Sequence, residues 1–214
     1  LDARWIGLGS SCILVAIWLV AYGFPQGEIA VSLVSIAAAL QLIIGYQTGK
    51  QMDQLRQLAY HDSLTGVLVN RRFLERLDQE VDLARRGKYP VTLLFLDLDN
   101  FKKFNDKHGH IEGDKLLYRF AQILQSCVGK EDLVGRWGGE EFVVLLDHCD
   151  TKAGLAAGEQ IQNQIRHHLG GLTVSIGVAT YPTHASDSGE LTLMADNLMY
   201  EAKKKKDCIL AASN

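Results

Sequence analysis

Apolar residues are spread unevenly along the chain, and their spacing divides it into three parts. Ile6–Phe24 is almost free of charge and Ile29–Tyr46 repeats the pattern, each close to the ~20 apolar residues that cross a bilayer core. The expectation is two transmembrane helices, about 6–24 and 29–46. They are joined by the helix-breaking stretch Gly23–Glu28 (GFPQGE) into an antiparallel hairpin. Arg4 precedes the first run, and Lys50 and Arg56 follow the second, which by the positive-inside rule puts both ends in the cytoplasm. A buried core helix competes for either run, and a signal peptide for the first, although no basic n-region precedes Trp5. This part therefore predicts a multi-pass protein of the inner (cytoplasmic) membrane, with the lipid bilayer as a partner.

From Gln47 to Tyr60 the chain turns polar, with Met52, Leu55, Leu58 and Ala59 at helical spacing. That linker helix either pairs with a copy of itself or serves as a solvated connector; two heptads do not decide between them. From about His61 helical and strand periods alternate. Arg71–Arg86 reads as a helix, Tyr89–Asp99 as a buried strand and Gly113–Val128 as a helix. Two short apolar runs, Leu133–Trp137 and Glu141–Leu146, are joined across a glycine pair as a hairpin. Helix Lys152–Leu169, strand Leu172–Thr180 and helix Leu191–Lys205 complete the pattern. The order β-α-β-β-α-β is that of an α/β (α+β) ferredoxin-like sheet, with helices expected on one face. The organisation expected is a transmembrane hairpin (1–46), a helical linker (47–60) and one catalytic-sized domain (61–214).

The balance of 22 Lys and Arg against 25 Asp and Glu leaves a net charge of -3. That argues against a nucleic-acid partner, with the run Lys203–Lys206 as the local exception. The four cysteines have no paired metal spacing and need form no disulfide.

Candidate chemistry gathers around RWGGEEF, Arg136–Phe142, where two glycines lead into Glu140 and Glu141. Asp97 and Asp99 share one side of their strand by alternation. The ferredoxin-like plan brings the end of that strand to the hairpin turn. Carboxylates so crowded repel one another unless a cation lies among them, and Mg²⁺ takes oxygen ligands from one or two carboxylates plus substrate phosphates. Scattered, solvated turn acids are the competing reading. His108-Gly109-His110 is too weak a signal to assign a metal.

Taken together, RWGGEEF, FLDLDNFKKFND, GHIEGD, SIGVA and HDSLTG followed by NRR resemble the GGDEF domain, the catalytic domain of diguanylate cyclases, over about His61–Cys208. The resemblance implies a palm-type version of this fold and condensation of two GTP into cyclic di-GMP and two pyrophosphates. It further implies Mg²⁺ (Mn²⁺ as the alternative) and a homodimer with one GTP per subunit. It assigns Glu140 and Glu141 to catalysis, and Asp97, the carbonyl of Leu98 and Glu140 to metal. Asn105 and Asp114 match guanine-reading positions, Lys102 and Lys203 phosphate contacts, and Asn100 and Phe101 backbone amides that meet phosphate. The guanine assignment is chemically sensible, because a carboxylate accepts from guanine's N1–H and amino group together, a donor pair adenine lacks. Beside these stand plainer readings: Lys102 as a solvated lysine, Asp114 as a helix-start acid, and Lys203–Lys206 as a solvated helix end.

Three departures from the family pattern stand out. DSLTGVLVNRR, Asp62–Arg72, is one residue longer than the family stretch. AKKKKDC, Ala202–Cys208, lacks the family's glycine and either is one residue short or carries Asp207 at the position of the second base; Lys206 is the candidate replacement for that phosphate contact. Gly129–Asp132 (GKED) lacks the arginine of the product-binding RxxD motif, so feedback inhibition through that site is not expected. The rivals are a catalytically inactive GGDEF module that binds GTP or a partner, and a cyclase that makes a cyclic mononucleotide.

Overall fold

The computed structural model describes residues 28–212, together with residues 9, 11–13 and 16. The chain divides into two compact units, residues 1–59 and 60–214. Helix α1 runs unbroken from Glu28 to Tyr60, all but its last residue within the first unit. Ser32, Ser35, Gln41 and Gln47 interrupt its apolar run, and it continues through Lys50 and Asp53. Among the described residues no helix is long and apolar enough to cross a membrane. This corrects the second predicted span, the transmembrane hairpin and the multi-pass membrane location inferred from them: apolar run length alone is a poor guide where polar residues recur along the same helix. The first predicted span falls almost wholly outside the described residues, as does the GFPQGE link before Glu28.

The second unit opens with the short strand β1 (Leu68–Val69) and helix α2 (Asn70–Gly87). Strand β2 (Val91–Leu98) leads into helices α3 (Phe101–His108) and α4 (His110–Cys127). The hairpin β3 (Leu133–Arg136) and β4 (Glu141–Leu146) follows. Helix α5 (Thr151–His168), strand β5 (Val174–Tyr181), helix α6 (Ser188–Lys205) and strand β6 (Ile209–Ala211) complete it. The sheet order is β1-β3-β4-β2-β5-β6. Its middle four strands are antiparallel neighbours, the ferredoxin-like arrangement expected, with β1 and β6 added in parallel at the edges.

Helices cover both faces of this sheet, not one. Leu94, Leu96 and Leu98 of β2 pack with Leu117, Phe120 and Leu124 of α4 and with Ile161 and Ile165 of α5. The alternate residues Val91, Leu93 and Phe95 pack with Phe73, Leu77 and Val81 of α2 and with Leu191, Ala195 and Met199 of α6. Every residue of β2 and β5 is buried, as strands covered on both sides require. Each fully buried Leu or Phe in these layers stabilises the fold by about 1.5–3 kcal/mol. The two layers hold the end of β2 rigidly against β4 and α6, and the acidic residues sit at that end.

Candidate active site

Asp97 follows the alternation of Val91, Leu93 and Phe95, so it faces the α2/α6 layer while Leu96 and Leu98 face the other. The β2/β4 register sets Asp97 opposite Glu141, and the Leu98 N–H lies 3.4 Å from the Glu140 carbonyl oxygen. Asp97, Leu98, Glu140 and Glu141 therefore meet where the sequence expects. Lys203, in the last turn of α6, joins them with its Nζ 2.5 Å from Asp97 Oδ2.

The electrostatics of this group favour an added positive charge. Asp97 is 1% exposed; burial pushes its carboxyl up to about 6, against the pull of Lys203 and with a further push from Glu140 and Glu141. Burial also raises Glu141, opposed by Lys203 and reinforced by Asp196 and Glu140. Burial alone would lower Lys203, but its bond to Asp97 and the surrounding carboxylates raise it. One lysine does not satisfy the site: Asp97 Oδ1 is buried with no hydrogen-bond partner among the described residues. Asp97 Oδ1, taken with the Leu98 carbonyl and the Glu140 carboxylate that the resemblance adds to it, makes a hard, all-oxygen donor set whose chemistry fits a divalent cation of the Mg²⁺ kind. No group of three or more His, Cys, Asp or Glu side chains that could hold a metal occurs among the described residues. A cation here must therefore take further ligands from water or from a bound phosphate, which is how Mg²⁺ is usually held.

Asp99 does not belong to this cluster. Its Oδ2 accepts from Thr173 Oγ1 at 2.6 Å and from the Asp207 N–H at 2.8 Å, and its Oδ1 accepts from Ser175 Oγ at 2.8 Å. Alternation placed it beside Asp97, but β2 ends at Leu98, and the turn through Asn100, at φ 62°, ties Asp99 to β5 and the chain after α6. Phe101, the first residue of α3, is buried in the core, and Lys102 beside it is exposed. The first amides of α3 thus stand directly beyond the acidic strand end, the arrangement that favours anions at a helix start.

Asn105 and Asp114 lie across the α3–α4 junction. Gly109, at φ 85°, makes the bend, and its N–H donates to the Asn105 carbonyl at 2.7 Å. A Cβ on Gly113 would stand 1.8 Å from Asn105 Oδ1, so glycine is required for the Asn105 side chain to lie there. Asn105 Oδ1 is also buried with no partner among the described residues, and Asp114 is exposed just past the first turn of α4. Together they present an unused amide acceptor and a carboxylate acceptor, the complement of a ligand with several N–H donors.

The glycine turn is braced by Arg136, Asp62 and Asn70, to which the sequence motifs assign no role. Arg136 Nη1 donates to Asp62 Oδ1 at 3.0 Å, Nη2 to the Gly139 carbonyl at 2.8 Å, and Nε to the carbonyls of Gly138 and Gly139 at 3.3 and 3.2 Å. Asp62 also accepts from Thr65 Oγ1 and N–H at 2.6 and 2.9 Å. Burial pushes the Asp62 carboxyl up, but the bonds from Thr65 and Arg136 outweigh it and leave it lowered. Asn70 Nδ2 donates to the Trp137 carbonyl at 3.2 Å. The extra residue in Asp62–Arg72 is absorbed within this brace: Val67 is buried, its carbonyl accepts from the Asp62 N–H at 2.8 Å, and Leu68–Val69 pair with Gly135–Arg136. The signal for this brace was present in two distant motifs, and only the β1/β3 pairing brings them together.

A ferredoxin-like sheet with an acidic hairpin beside a lysine and a helix start defines a palm-type domain. The chain belongs to the GGDEF family: the family described as "Diguanylate cyclase, GGDEF domain" matches residues 59–208. It is similar to diguanylate cyclase DgcM of Escherichia coli (strain K12), 40% identical over 167 residues that cover 75% of this chain and 40% of DgcM. The chain thus spans well under two thirds of that relative's length. Among solved structures, the GGDEF domain of PA1120 (TpbB or YfiN) from Pseudomonas aeruginosa is 33% identical, with a TM-score of 0.68, over 72% of this chain and 94% of that one. The active GGEEF domain of a diguanylate cyclase from Vibrio cholerae is 25% identical, with a TM-score of 0.65, over 68% and 97%.

Proposed function

We propose that residues 59–208 are a diguanylate cyclase that condenses two GTP molecules into cyclic di-GMP and two pyrophosphates, working as a homodimer with one GTP per subunit. The observation that carries this is the buried Asp97 Oδ1, without a hydrogen-bond partner among the described residues, at the strand end that meets Glu140, Glu141 and Lys203 at the signature hairpin. Asn105 and Asp114 receive the guanine; Lys102, Lys203 and the amides of Asn100 and Phe101 receive the phosphates. Asp97, the Leu98 carbonyl and Glu140 would hold Mg²⁺ or Mn²⁺, which when bound polarises the α-phosphate and neutralises the departing pyrophosphate.

The chain's own groups then account for alignment and proton transfer. The 3′-oxygen of one nucleotide forms a bond to the α-phosphorus of the other, and the bond from that phosphorus to the β-phosphate oxygen breaks. The hydroxyl proton passes to Glu140 or Glu141 and on to solvent. Burial raises Glu141, which makes its carboxylate a stronger proton acceptor. The attacking hydroxyl belongs to a second nucleotide, so two copies must face each other, and two such steps close the ring. The inactive-module alternative rested on the two departures at Asp62–Arg72 and Ala202–Cys208; the first is absorbed in a braced turn, and the second leaves Lys203 on Asp97.

The test is the initial rate of pyrophosphate release from GTP and Mg²⁺ by the full chain, measured against protein concentration. Pyrophosphate, not orthophosphate, is expected, with a rate that rises more steeply than linearly in the dilute range. Orthophosphate release, or no release at any concentration, would contradict the proposal.

A further inference from the structure

Beyond α6 the backbone takes a course normally left to glycine. Lys206 has φ 58° and ψ 159°, and Asp207 follows at φ 45°. The first of these is a region that residues with a Cβ enter only under strain, and such residues persist where the surroundings hold them and where function uses them. The restraints are on view. The Lys206 N–H donates to the Ala202 carbonyl at 3.0 Å, and the Asp207 N–H to Asp99 Oδ2 at 2.8 Å. The Asp207 carboxylate is clasped by Arg166 of α5, with Nε 3.0 Å from both oxygens and Nη2 2.9 Å from Oδ1. Arg166 is itself fixed: Nη1 donates to Asn163 Oδ1 at 3.0 Å and Nη2 to Gln162 Oε1 at 3.3 Å. Gln162 is buried and donates to the Val174 carbonyl at 3.0 Å.

The clasp has two consequences at the strand end. It neutralises a carboxylate that would otherwise stand free beside the proposed phosphate site. It also fixes the turn from which the Lys206 side chain leaves, and Lys206 Nζ lies 2.7 Å from Asn100 Oδ1, immediately before α3. Lys203 on Asp97 and Lys206 on Asn100 thereby bring two ammonium groups to the same end of β2.

We infer that Lys206 is a triphosphate-binding residue, and that Arg166 and Asp207 are positioning residues that lock Asp207 out of the phosphate site and aim Lys206 into it. The inference rests on reading the site as a GTP site and adds a contact made from the position where the family pattern carries glycine. The strain at Lys206 is retained because glycine there would relax the turn but bring no charge.

The experiment uses the full chain with Mg²⁺ and two probes, 3′-deoxy-GTP, which cannot condense, and guanosine monophosphate. Lys206→Gly is expected to weaken 3′-deoxy-GTP binding about tenfold, the scale of a lost hydrogen bond to a charged group. The same variant should raise the thermal midpoint and leave guanosine monophosphate binding within about twofold. Arg166→Met should weaken 3′-deoxy-GTP, and adding Asp207→Asn should restore most of the loss by removing the freed carboxylate. A residue that only stabilised the turn would show no such restoration. Parent-like triphosphate binding by Lys206→Gly, or a double variant as weak as Arg166→Met alone, would overturn the inference. A parent chain that binds neither probe would overturn the GTP-site reading, and this inference with it.

Discussion

Lys203 Nζ lies 2.5 Å from one oxygen of the buried Asp97 carboxylate, while the other oxygen has no hydrogen-bond partner among the described residues. A half-satisfied buried acid is costly to a fold, and burial accordingly raises its pKa to about 6. The raised value means that the native state holds a proton that the unfolded chain releases between about pH 4 and 6. Stability therefore falls as pH rises through that window, and above it ionised Asp97 costs on the order of 3 kcal/mol. Asp97→Asn should thus leave the metal-free, nucleotide-free protein as stable as the parent or more so at neutral pH, with the gap shrinking towards pH 4. Turnover should fall by about 100-fold or more. Urea unfolding at several pH values in the presence of a chelator reads the first effect; a variant markedly less stable than the parent at neutral pH would contradict it.

Arg136 should matter through the shape of the hairpin. Arg136→Met leaves Asp62 and two glycine carbonyls short of donors, so the domain should lose about 1–3 kcal/mol. Product formation should fall further than that loss of folded protein explains. The bonds that lower Asp62 also predict an acid limb: its contribution to stability is complete above the ordinary carboxylate range and is lost as pH falls through the lowered value. Asp62→Asn should flatten that limb in acid denaturation curves.

Asn105 Oδ1 and Gly113 are tightly fitted to each other. Asn105→Ala removes a buried acceptor that has no partner among the described residues, so it should not destabilise the protein, yet it should weaken GTP binding about tenfold and narrow the preference for GTP over ATP. Gly113→Ala should reproduce the binding loss by displacing the Asn105 side chain. Calorimetric titration with both nucleotides checks the pair, and an unchanged preference in both variants would remove Asn105 from the guanine site.

Excess cyclic di-GMP should not slow the reaction through the surface ahead of the hairpin. Gly129 stands where the product-binding motif has arginine, and Asp132 is occupied by the N–H groups of Gly129 and Asp147 at 2.7 and 2.9 Å. Initial rates with and without added product decide this, strong inhibition being the contrary result.

Much of this site is legible in the sequence. The β2 run and the Glu141–Leu146 strand declared themselves by burial pattern, and the topology that brings Asp97 to Glu141 followed from element order. The second helical layer was also legible in principle, because Val91–Leu98 lacks the polar alternation of a strand with one wet face. Other features were hidden for physical reasons. α3 is eight residues long with Phe101 as its one buried residue, too short for a periodic signal. β1 and β6 are two and three residues long and exist through the strands they pair with. Asp99 and Asp97 look alike in the sequence; they differ because the chain leaves the strand between them. The apolar run at residues 29–46 misleads because its length says nothing of Ser32, Ser35 and Gln41 within it, and among the described residues no helix is long and apolar enough to cross a membrane.

The most direct test of the central claim is chromatographic and mass-spectrometric identification of the product that the full chain forms from GTP and Mg²⁺, with Glu140→Gln and Asp97→Asn alongside. Cyclic di-GMP from the parent, and none above background from either variant, is the predicted result. A cyclic mononucleotide, cyclic di-GMP made equally well by Glu140→Gln, or unconsumed GTP in a parent that binds it would contradict the account.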